Sequence, residues 1–266
     1  MHTSLDSARI WRIVIRVCGA LVLAFLMLPL VVMVPLSFNG ASILSYPLSG
    51  LSLRWYEAFF GNPRWLGSIV NSLIVGASTV ALTTPLGTLA ALGLHMTSFR
   101  GKSLLVAVML SPMILPTVIA AVGIYFFFAP LGLANSLFGL VLAHSALAVP
   151  FVLITVTSSL QHLDASLARA GASLGAGPLL VFQRITLPLI LPGVISGAIF
   201  AFATSFDEVV VALLLTGPEQ RTLPRELLSG TRENLDPTIM AAATVLIAFS
   251  TLLLLGLSAL QKRGKR

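Results

Sequence analysis

HLDASLARAGASLGAGPLLVFQRITLPLILPG, residues 162–193, is the stretch on which the reading of this chain turns. Leu163, Leu167, Ala170 and Leu174 recur at three- and four-residue intervals, the spacing of one face of a short amphipathic helix. Gly175, Gly177 and Pro178 interrupt it. A second short helix is expected beyond them, with Leu179, Phe182 and Ile185 apolar and Gln183 and Arg184 polar. Pro188 and Pro192 then mark the return to a long apolar run. Two short helices joined at a glycine fit either an element that docks a partner or a loop resting on a membrane surface. Gly175 falls where the chain must turn sharply, so a Cβ there is expected to clash if φ is positive.

The flanking composition decides the solvent. The 266 residues are 57% hydrophobic and 9% charged, with a mean hydropathy of +0.99. A soluble domain carries about 25% charged residues, so this chain cannot cover a water-facing surface. The net charge of +7 does not point to nucleic acid, because the cations sit in short clusters between apolar runs rather than on one face. The single cysteine, Cys18, lies inside an apolar run and reads as a small packing residue. With one cysteine no disulfide framework or thiolate metal site can form.

A spanning helix needs about 20 apolar residues. Six stretches meet that length, at about 13–38, 67–95, 103–130, 136–158, 189–216 and 238–260. The first is longer than a signal-peptide core and reads as a true span. Pro130, Gly132 and Asn135 supply a tight turn between the third and fourth. The expectation is therefore an all-α membrane protein with six transmembrane helices in a single domain, 1–266.

An even number of spans puts both termini on one side. Arg9, Arg12, Arg16, Arg100, Lys102, Arg169, Arg184, Lys262, Arg263, Lys265 and Arg266 fall on that side. Arg54, Arg64, Arg221, Arg225 and Arg232 fall on the other, a split of 11 against 5. Positive charge concentrates on the cytoplasmic side, so both termini and the 159–188 loop are expected there, in a bacterial inner membrane. The outer connection 39–66 carries Trp55, Tyr56, Phe59, Phe60 and Trp65, as an interfacial aromatic belt or as a contact surface.

Chemistry inside the spans is sparse. An ionised side chain at the bilayer centre costs about 2.5–3.5 kcal/mol on insertion scales, so Asp207 and Glu208 need a reason. At 1.5 Å per residue the pair lies about 21 Å beyond Gly193, in the outer part of the membrane. A negative lining for a cationic substrate and a hydrated pair near the outer interface both fit. As neighbours on a helix, at most one of them can face a pore squarely. His95 and His144 fit a relay or substrate contact, or neutral rings bonded to a neighbouring carbonyl. Asn71 reads as interhelical glue, and Gly193 with Gly197 as a small-xxx-small packing pair. Arg100-Gly101-Lys102-Ser103 lacks the upstream glycine of a phosphate loop, since position 96 is Met. It reads as a turn, and energy is expected from another chain.

The 162–193 stretch resembles the signature loop of ATP-binding-cassette importer permeases. That signature runs Glu-Ala-Ala, three residues, Gly, nine residues, then Ile-x-Leu-Pro. Arg169-Ala170-Gly171 stands on the triplet, Gly175 on the Gly, and Ile185, Leu187 and Pro188 on the last element, with the spacing intact. Arg169 replaces the family's Glu and Gly171 its second Ala. The resemblance implies the type I importer permease fold and an ATPase-coupling set of Asp164, Arg169, Ala170, Gly171, Gly175, Ile185, Leu187 and Pro188. It also implies a second, related permease as heterodimer partner, two ATPase subunits that bind ATP and Mg, and a periplasmic substrate-binding protein. No cofactor and no catalytic residue is then expected in this chain.

Ser205-Phe206-Asp207-Glu208-Val209-Val210, Thr216-Gly217-Pro218 and Thr222-Leu223-Pro224 resemble the branch of the family handling polyamines. The implied substrate is putrescine, spermidine or a related amino compound, with Asp207 and Glu208 on its path. A secondary transporter driven by an ion gradient is the rival. It should carry discontinuous spans in matched halves, and no such repeat is visible. A membrane-embedded enzyme would need clustered catalytic groups within the spans.

Overall fold

The computed structural model describes the backbone of residues 3–42, 45–233 and 237–263, and their side chains except at 3–10, 165, 232–233, 253–254 and 257–263. Among the charges used for orientation, Lys265 and Arg266 lie outside the described residues, as do the side chains of Arg9, Arg232, Lys262 and Arg263. The described residues are helical apart from connections and an isolated β-bridge, Asn39–Leu51. They divide into two compact units, 1–62 with 230–248 and 63–229 with 249–266.

The first unit begins with α1 (Thr3–Ser37), whose Trp11–Ser37 part is strongly apolar beyond Arg12 and Arg16 and largely exposed. Cys18 is exposed on it, not packed. Lipid is the expected neighbour of such a surface, because the bilayer core rewards apolar contact on all faces. Past α1 the chain folds on itself around the buried Asn39. Its side-chain oxygen accepts from the Ala41 and Ser49 amides, and its carbonyl accepts from the Trp55 indole N–H at 2.8 Å. The short helix α2 (Arg54–Gly61) follows, with Phe59 fully buried. The aromatic run is therefore partly structural: Trp55 and Phe59 hold this loop together.

The second unit is built on three long helices, α3 (Pro63–Met96), α6 (Leu137–Gln161) and α9 (Leu187–Asp207). Glycines let them approach closely. A Cβ on Gly87 of α3 would lie 2.7 Å from Val152 Cγ1 of α6, and one on Gly197 of α9 would lie 3.0 Å from the Val152 Cα and 2.7 Å from Thr155 Oγ1. Val152 is thus pinched between glycines of two neighbouring helices. Gly193 abuts Ser159 and Thr155 in the same way, so the 193/197 pair packs against α6. Prolines within these helices, such as Pro85, Pro150 and Pro192, are tolerated because neighbouring helices re-satisfy the backbone.

Between α3 and α6, the expected third span is broken. α4 (Lys102–Ile114) and α5 (Thr117–Phe128) meet at 109° across Leu115-Pro116. Proline has no N–H to continue the ladder and pushes its predecessor towards extended backbone. Leu115 accordingly has φ −72° and ψ 136°. The 129–136 turn has left-handed Gly132 and Asn135, a conformation their residue types tolerate. Gly101, in the excluded phosphate-loop stretch, is left-handed as well and opens α4.

After α6 come α7 (Ala165–Ser173) and α8 (Pro178–Val181), which corrects the expected second short helix. α8 runs through one π-helical turn, Phe182–Thr186, straight into α9, giving a continuous helix Pro178–Asp207. The Leu187 N–H reaches back to the Phe182 carbonyl, widening the helix directly before Pro188. There the proline ring would otherwise press on the carbonyl four residues earlier.

The expected fifth span ends earlier than 216. α9 stops at Asp207, and α10 (Val210–Leu215) is a separate short helix. α11 (Leu223–Glu233) and α12 (Thr238–Arg263) complete the chain. Among the described residues, four helices are long and apolar enough to cross a membrane, five if the bent α4–α5 pair is one span. The sixth expected span corresponds to α12, whose described apolar part is Thr238–Leu252.

Candidate functional site: the 162–188 loop and the 207–208 break

α7 starts at Asp164, whose carboxylate accepts from the Ser166 amide at 2.8 Å. That hydrogen bond, with a smaller contribution from Arg169, holds the Asp164 carboxyl below the ordinary carboxylate range. α7 ends at Gly175 with φ +84°. The Ala176 N–H bonds to the Gly171 carbonyl and the Gly175 N–H to the Ala172 carbonyl, the paired pattern of a Schellman turn. Open space surrounds the position a Gly175 Cβ would take. The glycine is demanded by its backbone conformation, and the expected clash does not occur.

Gly171 does make a close contact. A Cβ there would come within 2.7 Å of Ile185 Cδ1, so the glycine lets α7 lie directly on the helix that leads into α9. Of the coupling set, Gly171 and Ile185 are therefore brought together, and Leu187 packs against the α3–α6–α9 core. Pro188 sits in the first turn of α9. Arg169 and Ala170 are exposed.

The expected apolar stripe divides: Leu163 packs inward against the core, while the part on α7 and its end points away from the protein. Leu174 is 89% exposed and Leu167 45%, and Leu179 at the start of α8 is 68% exposed. The side turned inward carries small residues. Ala168, Ala172 and Ala176 line an apolar chamber of about 730 Å³ with Leu92, Leu160 and Phe182. Exposed His95, at the end of α3, stands at this chamber.

At the far end of α9, Asp207 is exposed and Glu208 half-buried. Glu208 Oε1 accepts from the Val210 and Val211 amides at 2.8 and 3.0 Å, capping α10. This corrects the expectation of one continuous helix through the pair. Nearby, buried His144 Nδ1 pairs with Ser205 Oγ at 2.8 Å, and Ser205 Oγ reaches Thr79 Oγ1 at 3.4 Å. Nδ1 is bonded to a hydroxyl rather than to a carbonyl, and Nε2 has no hydrogen-bond partner among the described residues. His95 and His144 are not brought together with the acidic pair in one cluster: one stands at the α7 chamber, the other in the helix core.

Glu226, not singled out from sequence, organises the segment after α10 with arginines that the sequence reading used only for orientation. Glu226, 3% exposed, is paired with Arg64 Nε at 2.6 Å and Arg221 Nη1 at 3.1 Å. Arg225 donates to the Gly217 carbonyl at 2.8 Å and also to Thr216. Asn71 donates to the Glu219 and Arg221 carbonyls, so it fastens a loop to α3 rather than joining two helices. The signal for this network was present as Thr216-Gly217-Pro218 and Thr222-Leu223-Pro224, but pairings over 150 positions are invisible in a linear pattern.

Comparison with known proteins agrees with this geometry. A permease protein of the spermidine/putrescine transport system, PotC of Haemophilus influenzae, is 33% identical over 231 residues, 86% of this chain and 89% of the relative. The putrescine transport system permease protein PotI of Escherichia coli is 33% identical over 244 residues, 89% of this chain and 85% of the relative. In fold, a bacterial ABC transporter involved in the import of the acidic polysaccharide alginate matches with a TM-score of 0.74 at 15% identity, covering 99% of both chains. The MetNI methionine ABC transporter matches with a TM-score of 0.61 at 17% identity, over 79% of this chain and 98% of that one. The pattern of the binding-protein-dependent transport system inner membrane component covers residues 83–266, and the chain belongs to that family.

Proposed function

We propose that this chain is a pore-forming subunit of an ATP-driven importer for polyamines such as putrescine and spermidine. The observation that carries the reading is α7. It is a short helix between membrane-bound segments, closed by a Schellman turn, with Leu167 and Leu174 turned outward. With Leu179 beside them they make an exposed apolar patch, and such patches on a surface mark interaction sites.

ATPase subunits would dock on this face. Their movement would pass through the Gly171–Ile185 contact into α8 and α9, which are one continuous helix. Arg169 would stand at the rim of that interface, where it meets water and its charge needs no buried partner. ATP and Mg belong to those subunits. A second, related permease would complete the pore and a periplasmic binding protein would deliver the substrate. The positive-inside count supports placing both termini and α7 in the cytoplasm. Membership of a binding-protein-dependent family sets this chain apart from secondary transporters driven by an ion gradient.

Polyamine specificity rests on the relatives named for spermidine and putrescine, and on a carboxylate pair, Asp207 and Glu208, that suits a cationic substrate on its path. Uptake of radiolabelled putrescine and spermidine by cells expressing the complete operon tests it. Saturable uptake abolished by an inactive ATPase subunit is expected. If the subunits co-purify as a complex and neither amine is taken up, the substrate assignment is wrong and the importer remains.

A further inference from the structure

Two breaks in membrane helices face one cavity. α4 and α5 part at Leu115-Pro116, α9 and α10 part at Glu208-Val209, and a space of about 210 Å³ between them is lined by Leu115, Thr117, Phe151, Thr204 and Glu208, among others. We infer that this cavity is a binding subsite for one primary ammonium group of the transported amine, with Glu208 as its counter-charge.

The chemistry is complementary. Glu208 spends Oε1 on the Val210 and Val211 amides, and among the described residues no hydrogen bond reaches Oε2. A charge held among apolar spans is costly unless it is paired. An alkylammonium brings the opposite charge and three N–H donors. The cavity offers acceptors for them in the Glu208 carboxylate and the Thr204 and Thr117 hydroxyls. It also offers the ring of Phe151, which stacks on Phe200 with centroids 6.2 Å apart. Aromatic rings attract cations.

Size limits the guest. The cavity lies below the range of about 300–1,000 Å³ for pockets that enclose drug-sized ligands, and its lining carries one carboxylate, Glu208, so it pairs with one ammonium of a polyamine. Weak, partial binding is what a transport path needs, since a site that held the whole chain would not release it. Helix breaks supply such sites because freed backbone groups and side chains converge where the ladder stops. Asp207, one residue earlier, is not part of this cavity.

The inference rests on the polyamine reading and is tested with the complete importer in proteoliposomes, supplied with saturating putrescine-loaded binding protein. Glu208→Gln keeps an oxygen to accept the Val210 and Val211 amides and removes only the charge, so a merely structural cap predicts unchanged transport. The subsite predicts a maximal uptake rate at least about tenfold lower, as expected when one member of a charge pair is neutralised. Glu208→Asp should recover part of it. Wild-type rates in Glu208→Gln would overturn the inference. Thr204→Val, which leaves the cap untouched, should lower the rate about threefold, the size of one lost hydrogen bond. If Glu208→Gln fails to assemble, an unchanged rate in Thr204→Val overturns the inference instead. Absence of putrescine and spermidine uptake by the wild-type importer would refute the polyamine reading itself, a result distinct from either variant's.

Discussion

The α3–α6–α9 core and α7 both turn apolar side chains outward, and they do so for different reasons. In the core, Thr79, Thr83, His144 and Ser205 are buried while Leu86, Leu89 and Phe200 are exposed. In α7, Gly171 is buried while Leu167 and Leu174 are exposed. Hydrocarbon surrounds the first, so outward leucine is matched to its solvent, and of the inward polar groups Ser205 pairs with His144 and Thr79 across helices. α7 is nine residues long, too short to cross a membrane, and its outward leucines have no lipid core around them. On the proposed reading the same surface means lipid contact in one region and a protein partner in the other.

The comparison is broken most severely in the core. Gly197→Leu would drive a side chain into the Val152 backbone and Thr155. A loss of about 3 kcal/mol or more is expected, seen as a fall in membrane-inserted protein and in its thermal midpoint in detergent. Protein at wild-type level and midpoint would mean that α6 and α9 do not meet at this glycine.

In α7 the corresponding glycine change is milder. Gly175→Ala meets no atom, but it places a Cβ on a residue with φ +84°. The cost is about 1–2 kcal/mol for a left-handed residue. Protein level should be unchanged, with faster hydrogen exchange of the Gly175 and Ala176 amides that close the Schellman turn. Unaltered exchange would mean that the turn does not need glycine.

The smallest effect is expected at Ser205→Ala, which removes the hydroxyl from His144 Nδ1. Polar contacts between membrane helices average about 0.6 kcal/mol, so the thermal midpoint should fall only slightly. A fall as large as that of Gly197→Leu would make hydroxyl bonding, rather than close packing, the main glue of this core.

Much of this was legible in the chain itself. Long apolar runs located the spans, because only a helix satisfies its own backbone in lipid. Gly132, Asn135 and Gly175 announced turns, because few residues accept positive φ. The breaks were harder to read. Pro116 interrupts α4–α5, yet Pro85 and Pro150 leave their helices whole, so proline alone does not mark a break. The break at Glu208-Val209 has neither proline nor glycine. It depends on a carboxylate that caps α10, and that role appears only once the backbone has turned. Conversely, Pro188 suggested a boundary where the helix continues, because a π-helical turn makes room for its ring. Periodicity showed that α7 is amphipathic, but it could not show which side faces the protein. The stripe of small residues 168, 171, 172 and 176 decided that by allowing close approach.

The most direct test of α7 as an ATPase interface is co-purification of the ATPase subunits with the permease carrying Leu174→Arg. Leu174 is 89% exposed, so the folded chain loses no packing and membrane level should stay at wild type. A central interface residue contributes about 2 kcal/mol or more, and ATPase binding should weaken about thirtyfold or more. Full recovery of ATPase with the variant would contradict the account and leave the outward face of α7 without a protein partner.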